Sequence, residues 1–128
     1  LRVLLIDDDP VIAEDLDLLL PGHIELEWVA GSEAAIKRLQ SEELPDAIIL
    51  DLCLPRHLAD SDDGEGLHLM SLLHKELAVG LPVVVLSSLS RAEMESECLS
   101  RGARAYVEKP CTVRDLTELL QALANPNP

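Results

Sequence analysis

Asp7-Asp8-Asp9, Asp51, Ser87-Ser88 and Lys109 are the residues of this chain best placed to do chemistry, because each follows a short apolar or half-apolar run. The runs are Val3-Leu4-Leu5-Ile6, Ala47-Ile48-Ile49-Leu50, Val83-Val84-Val85-Leu86 and the more mixed Tyr106-Val107-Glu108. Carboxylates gathered at one place repel each other by roughly 4 kcal/mol per pair, at a separation of about 4 Å and an effective dielectric near 20. One of them stays protonated unless a cation compensates. A hard divalent ion does so well: Mg2+ takes a carboxylate or two and fills its other positions with water and phosphate oxygens. An Asp carboxylate can also act as a nucleophile and form an acyl phosphate. That reaction needs charge neutralised around the transferring group more than it needs a strong base. Ser87 offers a hydroxyl donor, and Lys109 an ammonium, to a phosphoryl group on Asp51. Singly, each residue has a plain structural explanation, as a helix cap, a turn residue or a solvated lysine. Their arrival at successive strand ends is what argues for a site.

The elements that must deliver them are legible in the apolar pattern. The three four-residue runs rich in Val, Ile and Leu read as strands buried on both faces of a parallel sheet. Ile24, Leu26, Trp28 and Ala30 alternate with Glu25, Glu27 and Val29, and Ala103, Ala105 and Val107 alternate with Arg104, Tyr106 and Glu108; these read as edge strands. Between the strands, Asp9-Pro10 starts a first helix running to about Leu20, Gly31-Ser32 opens a second, and a third begins near Gly64 with Leu69, Met70, Leu73 and Leu77 on one face. Ser90-Arg91-Ala92-Glu93 has capping-box spacing and opens a fourth helix that ends at Gly102. Its apolar face is thin, only Ala92, Met94, Cys98 and Leu99, which predicts a weakly anchored helix. Thr112 to Asp115 cap a fifth, built on Val113, Leu116, Leu120 and Leu123.

Strands alternating with helices define a doubly wound α/β fold. With continuous strands central, alternating strands at the edges and right-handed crossovers, the predicted order is 2-1-3-4-5, the flavodoxin/CheY-like order. Its switch point lies between strands 1 and 3, where Asp7-Asp8 and Asp51 meet.

At 128 residues the chain suits one domain, taken as 1–124, with Asn125-Pro-Asn-Pro at 125–128 as the start of a linker or tail. The start at Leu1 and that tail suggest a domain cut from a longer protein. A net charge of -14, no Phe, one Trp and one Tyr argue against direct nucleic-acid binding and against anionic membranes. No stretch is apolar enough to span a bilayer and no secretion signal is present, so a cytoplasmic location is expected. Cys53, Cys98 and Cys111 have no metal or disulfide spacing and read as reduced packing thiols; His23, His57, His68 and His74 form no ligand pattern.

Together, Leu4-Leu5-Ile6-Asp7-Asp8-Asp9, Ile48-Ile49-Leu50-Asp51-Leu52-Cys53-Leu54-Pro55, Asp63-Gly64, Val84-Val85-Leu86-Ser87-Ser88, Gly102-Ala103 and Tyr106-Val107-Glu108-Lys109-Pro110 resemble the receiver domain of bacterial two-component response regulators, from Arg2 to about Ala124. The resemblance implies a signalling domain that catalyses only its own phosphorylation and dephosphorylation, with Asp51 as phosphoacceptor. It implies Mg2+ held by Asp7, Asp8, Asp51 and the backbone carbonyl of Cys53, with Ser87 and Lys109 on the phosphoryl group. Tyr106 becomes an aromatic switch that turns inward when Ser87 moves, and Pro110 follows a cis peptide bond. The implied donor is a phosphohistidine on a sensor histidine kinase or histidine phosphotransfer protein. The implied output is a changed surface on the fourth helix, fifth strand and fifth helix, open to a partner or to homodimerisation.

Two departures from the family pattern stand out. Arg56 to Asp62 insert about five residues between Pro55 and Asp63-Gly64. Cys53 and Leu89 occupy positions where fast self-dephosphorylating members carry polar side chains, so a slowly decaying phosphoryl group is expected. The rival readings are weaker. A haloacid-dehalogenase-like phosphatase would use Asp7 as nucleophile and Asp9 as acid, but needs a longer chain and leaves Ser87, Tyr106 and Lys109-Pro110 unexplained. A phosphorylation-independent module of the same fold would not need all the key side chains. An FMN-binding flavodoxin would need a Ser/Thr/Gly-rich loop where three acids stand.

Overall fold

In a computed structural model that describes residues 1–7, 10–41, 43–51, 64–77, 80–88 and 90–124, the strands are β1 (Arg2–Ile6), β2 (Glu25–Val29), β3 (Ala47–Asp51), β4 (Val83–Ser87) and β5 (Ala105–Glu108). The helices between them are α1 (Pro10–Leu19), α2 (Ser32–Leu39), α3 (Gly64–Leu72), α4 (Arg91–Ser100) and α5 (Val113–Ala124). All neighbouring strands are parallel and their order is β2-β1-β3-β4-β5, as the apolar pattern predicts. Every residue of β3 and β4 is buried, and in β1 only Arg2 is exposed, so the continuous apolar runs are the strands with helices on both faces.

Successive side chains of a strand point to opposite faces, and the core is accordingly split in two. Leu4, Ile6, Ile48, Leu50, Val83 and Val85 point toward α2, α3 and α4 and meet Ala35, Leu69, Met70 and Cys98. Val3, Leu5, Ala47, Ile49, Val84 and Leu86 point the other way, against Ala13 and Leu16 of α1 and Leu116 and Leu120 of α5.

The edge strands depart from simple alternation. On β5, Tyr106 is the most buried residue, at 3 % exposure, while Ala105 and Val107 are half-buried. Helix α4 covers the Tyr106 face and α5 the other, so both sides of this edge strand are covered as far as Val107, and only Glu108 at its end is exposed. On β2, Trp28 is 40 % exposed, and Leu26 and Val29 are the half-buried residues, Val29 packed into the α2-side core and Leu26 into the opposite one. Ala30, expected on the buried face, is exposed.

Helix α4 ends as Gly102 predicts. The Ala103 N–H donates to the Cys98 carbonyl at 3.0 Å and the Gly102 N–H to Leu99 at 3.1 Å, a Schellman closure with Gly102 at φ +109°. A Cβ at Gly102 would also collide with the His74 ring. That ring comes from Leu73–Leu77, where the end of α3 widens into a π-helical turn that the helical spacing does not foretell. Among the described residues, no helix is long and apolar enough to cross a membrane. The inserted segment from Arg56, the residues Asp8, Asp9, Cys53 and Leu89, and the tail at 125–128 lie outside the described residues.

Candidate functional site

The strand register carries the sequence-selected side chains to one edge of the sheet. Ile6 pairs with Leu50, so Asp7 and Asp51 occupy the next rung on adjacent central strands, one strand spacing of roughly 5 Å apart in backbone terms. Asp51 pairs with Leu86, which puts Ser87 one residue further along β4. Ser87 in turn pairs with Glu108, and the Lys109 N–H extends that ladder by donating to the Ser87 carbonyl at 2.7 Å. The Lys109–Pro110 peptide is cis.

Burial at this edge is unusual for polar residues. Asp7 and Ser87 are fully buried and Asp51 is 3 % exposed. Carboxylates are seldom buried without a partner. Lys109 supplies one, its Nζ lying 3.4 Å from Oδ2 of Asp51 while its own side chain stays partly open to solvent. Asp7, Asp51 and Lys109 together carry two formal negative charges against one positive. The donor set facing that excess is oxygen only, which suits a hard ion such as Mg2+ better than a thiophilic metal. Among the described residues, no three His, Cys, Asp or Glu side chains form a metal cluster; of the expected ligand set, Asp7 and Asp51 are described and Asp8 and Cys53 are not.

Tyr106 lies off this edge. It pairs with Val85, and its side chain is buried in the cluster that includes Cys98 and, partly buried, Met94 of α4. Its backbone carbonyl accepts a hydrogen bond from Nη2 of Arg91 at 3.0 Å, and the Arg91 N–H donates to Oε1 of Glu108 at 2.8 Å. Arg91 and Glu108 therefore tie the start of α4 to β5. Sequence reasoning passed over both, because nothing local pairs residues so far apart.

It also passed over Trp28, whose indole Nε1–H donates to the backbone carbonyl of Asp7 at 2.6 Å. The available signal was the residue itself, the chain's single Trp, on a strand whose other exposed positions are Glu25 and Glu27. The two described cysteines, Cys98 and Cys111, are free thiols; Cys98 is buried on α4, and half-buried Cys111 stands two residues after Lys109. Burial pushes the Cys98 thiol up to about 11 and Cys111 in the same direction.

Residues 3–121 match the model of the response regulator receiver domain, and the chain belongs to that family. Receiver domains are signalling modules of two-component systems and are phosphorylated on an aspartate. Among the relatives, the virulence transcriptional regulatory protein PhoP of Salmonella typhimurium is 33% identical over 129 residues, an alignment covering 99% of this chain and 53% of PhoP. The chain spans about half the length of curated relatives it matches, 48% of TcrX of Mycobacterium tuberculosis and 48% of RpaA of Synechocystis. The receiver domain of the Francisella response regulator 1452 superposes with a TM-score of 0.83 at 25% identity, covering 98% of this chain and 97% of that one. The fold is also that of the receiver domain of sensor histidine kinase PA1611 from Pseudomonas aeruginosa, solved with a magnesium ion coordinated in its active site cleft; the TM-score is 0.74 at 23% identity, with 97% of each chain covered.

Proposed function

We propose that this chain takes a phosphoryl group from a phosphohistidine of a sensor histidine kinase or histidine phosphotransfer protein onto Asp51, in the cytoplasm, and thereby resets the surface formed by α4, β5 and α5. The observation that carries the assignment is the pairing of Lys109 Nζ with the buried Oδ2 of Asp51 at 3.4 Å, beside Asp7 at the switch point of the sheet. In the transfer, an Asp51 oxygen attacks phosphorus, the N–P bond of the donor breaks, and an O–P bond forms. Lys109 is already within reach of the new phosphoryl oxygens, and the Ser87 hydroxyl donates to one of them.

Asp7, Asp8 and Asp51, with the main-chain carbonyl of Cys53, are the residues proposed to hold Mg2+. Asp7 and Asp51 fit that role as buried hard-oxygen donors on neighbouring rungs. When bound, the ion supplies charge neutralisation for the transferring phosphoryl oxygens. Phosphorylation adds up to about two negative charges at Asp51 and draws Ser87 and Lys109 inward. Tyr106, whose buried side chain occupies one of the two positions such a switch needs, then reports the change to α4. Output is proposed to be a partner or a second copy bound through α4-β5-α5, with no direct nucleic-acid contact by this domain.

The test is intact-mass analysis after incubation with acetyl phosphate, with and without Mg2+, on the wild type and Asp51→Asn. A single phosphoryl adduct is expected on the wild type alone, dependent on Mg2+ and decaying slowly. An adduct that persists in Asp51→Asn would transfer the nucleophile role to Asp7, and no adduct on either protein would leave a phosphorylation-independent module.

A further inference from the structure

The indole of Trp28 answers a question that the burial pattern of β2 raises. An edge strand with Glu25 and Glu27 on its wet positions has no packing need for a large aromatic left 40 % exposed. What Trp28 contributes instead is a donor. Its Nε1–H, which can donate one hydrogen bond and accept none, meets the Asp7 carbonyl at 2.6 Å.

The position of that bond matters. Strand β1 ends at Ile6, opposite Val29, the last residue of β2. Asp7 is thus the first residue past the regular ladder, and its N–H still reaches back to the Val29 carbonyl at 3.1 Å. Its own carbonyl points on beyond the end of β2, and there the indole of Trp28, from one residue before Val29, supplies the donor. Both polar groups of the Asp7 main chain are therefore tied to β2, one by backbone and one by side chain. With both held, the direction of the Cα–Cβ bond, and so the point from which the fully buried carboxylate extends, is set from outside the site.

We infer that Trp28 is a positioning residue for Asp7: by clamping the Asp7 carbonyl, its indole N–H holds the main chain from which the carboxylate would reach an Mg2+ ion on the rung beside Asp51. The inference rests on the proposed role of Asp7 as an Mg2+ ligand. It concerns binding of the ion and not transfer itself, so it is tested on metal affinity.

The experiment measures Mg2+ binding by calorimetry, and Mn2+ binding by electron paramagnetic resonance, for the wild type, Trp28→Phe, Leu26→Ala and Asp7→Asn. Thermal unfolding is followed in parallel. Trp28→Phe keeps an aromatic ring and deletes the donor, and should weaken metal binding about threefold to tenfold, because ordering the Asp7 main chain, worth up to about one neutral hydrogen bond, then falls on the binding step. Leu26→Ala, a half-buried truncation on the same strand, should lower the unfolding temperature while leaving affinity unchanged. If Trp28→Phe unfolds, 3-benzothienylalanine at position 28 replaces the N–H by sulfur at nearly constant shape and gives the same comparison. Unchanged affinity when the donor is lost, or an equal loss in Leu26→Ala, overturns the inference while the Asp7 assignment stands. Wild-type affinity in Asp7→Asn, or no binding by the wild type, overturns the Asp7 assignment and the inference with it.

Discussion

Helices α4 and α5 flank the same strand, β5, from opposite faces, and they are held there by different forces. Helix α5 buries Leu116 and Leu120 almost completely and packs Val113, Leu119 and Leu123 beside them. Helix α4 buries only Cys98 among its ten residues, with Met94 half-covered. Polar contacts at its two ends do the rest. At the start, Ser90 accepts from the Ala92 N–H, and Arg91 engages Glu108 and the Tyr106 carbonyl. At the end, Arg101 donates to Ser71 of α3 at 3.2 Å. A helix held by burial loses its apolar contacts as soon as it moves. One held by exposed or half-exposed hydrogen bonds can exchange them for water at little net cost. The helix beside the Tyr106 side chain is thus the one built to shift, which is the arrangement the proposed switch requires.

That contrast can be broken by truncation. Leu120→Ala should cost about 2–5 kcal/mol in urea denaturation, whereas Met94→Ala on α4 should cost about 1 kcal/mol or less. Similar losses would mean that α4 is anchored by burial after all. A sharper version removes the polar anchor alone. Arg91→Ala should lower global stability by only about 1 kcal/mol, yet raise amide hydrogen exchange across Arg91–Ser100 while α5 keeps its protection. Equal increases in both helices would refute the anchoring of α4 by Arg91.

The last expected effect is confined to alkaline pH and concerns the one buried residue of α4. The Cys98 thiol is held up at about 11 by burial, reinforced by Glu97 and opposed by Arg101. A raised value means that the native state keeps its proton longer than the unfolded state. The stability this confers is complete below the ordinary thiol value of 9.0 and is lost as pH rises toward about 11. Cys98→Ala should flatten the stability profile over that window. In the wild type at neutral pH, Cys98 should react with thiol reagents far more slowly than in the denatured chain. A steep profile in Cys98→Ala would assign the alkaline loss to another group.

Much of this architecture is legible in residue order. Val3–Ile6, Ala47–Leu50 and Val83–Leu86 announce themselves as doubly covered strands because no face of them is polar, and that places them at the centre of the sheet. The position of Asp51 and Ser87 as the last residues of their strands, and of Asp7 and Lys109 just after theirs, then follows from register, since parallel strands of similar length end together. The thin face of α4 was readable for the same reason: a helix with few apolar residues has little to bury.

The rest depended on contacts that no local pattern encodes. Alternation on β5 set Tyr106 on the face with Arg104 and Glu108, opposite the apolar positions; it is buried because α4, from a different part of the chain, covers that face. The π-turn at Leu73–Leu77 and the seat of His74 on Gly102 arise only where α3 and the end of α4 meet. The Arg91–Glu108 and Trp28–Asp7 hydrogen bonds join residues 17 and 21 positions apart. Residue order by itself determined which segments are strands, which are central, and which carboxylates share an edge, because hydrophobic periodicity and covalent connectivity are properties of the chain. Only the tertiary structure decided which donor holds Asp7, which helix covers Tyr106 and how far Lys109 stands from Asp51, because those are distances between elements and exist only once the elements have packed.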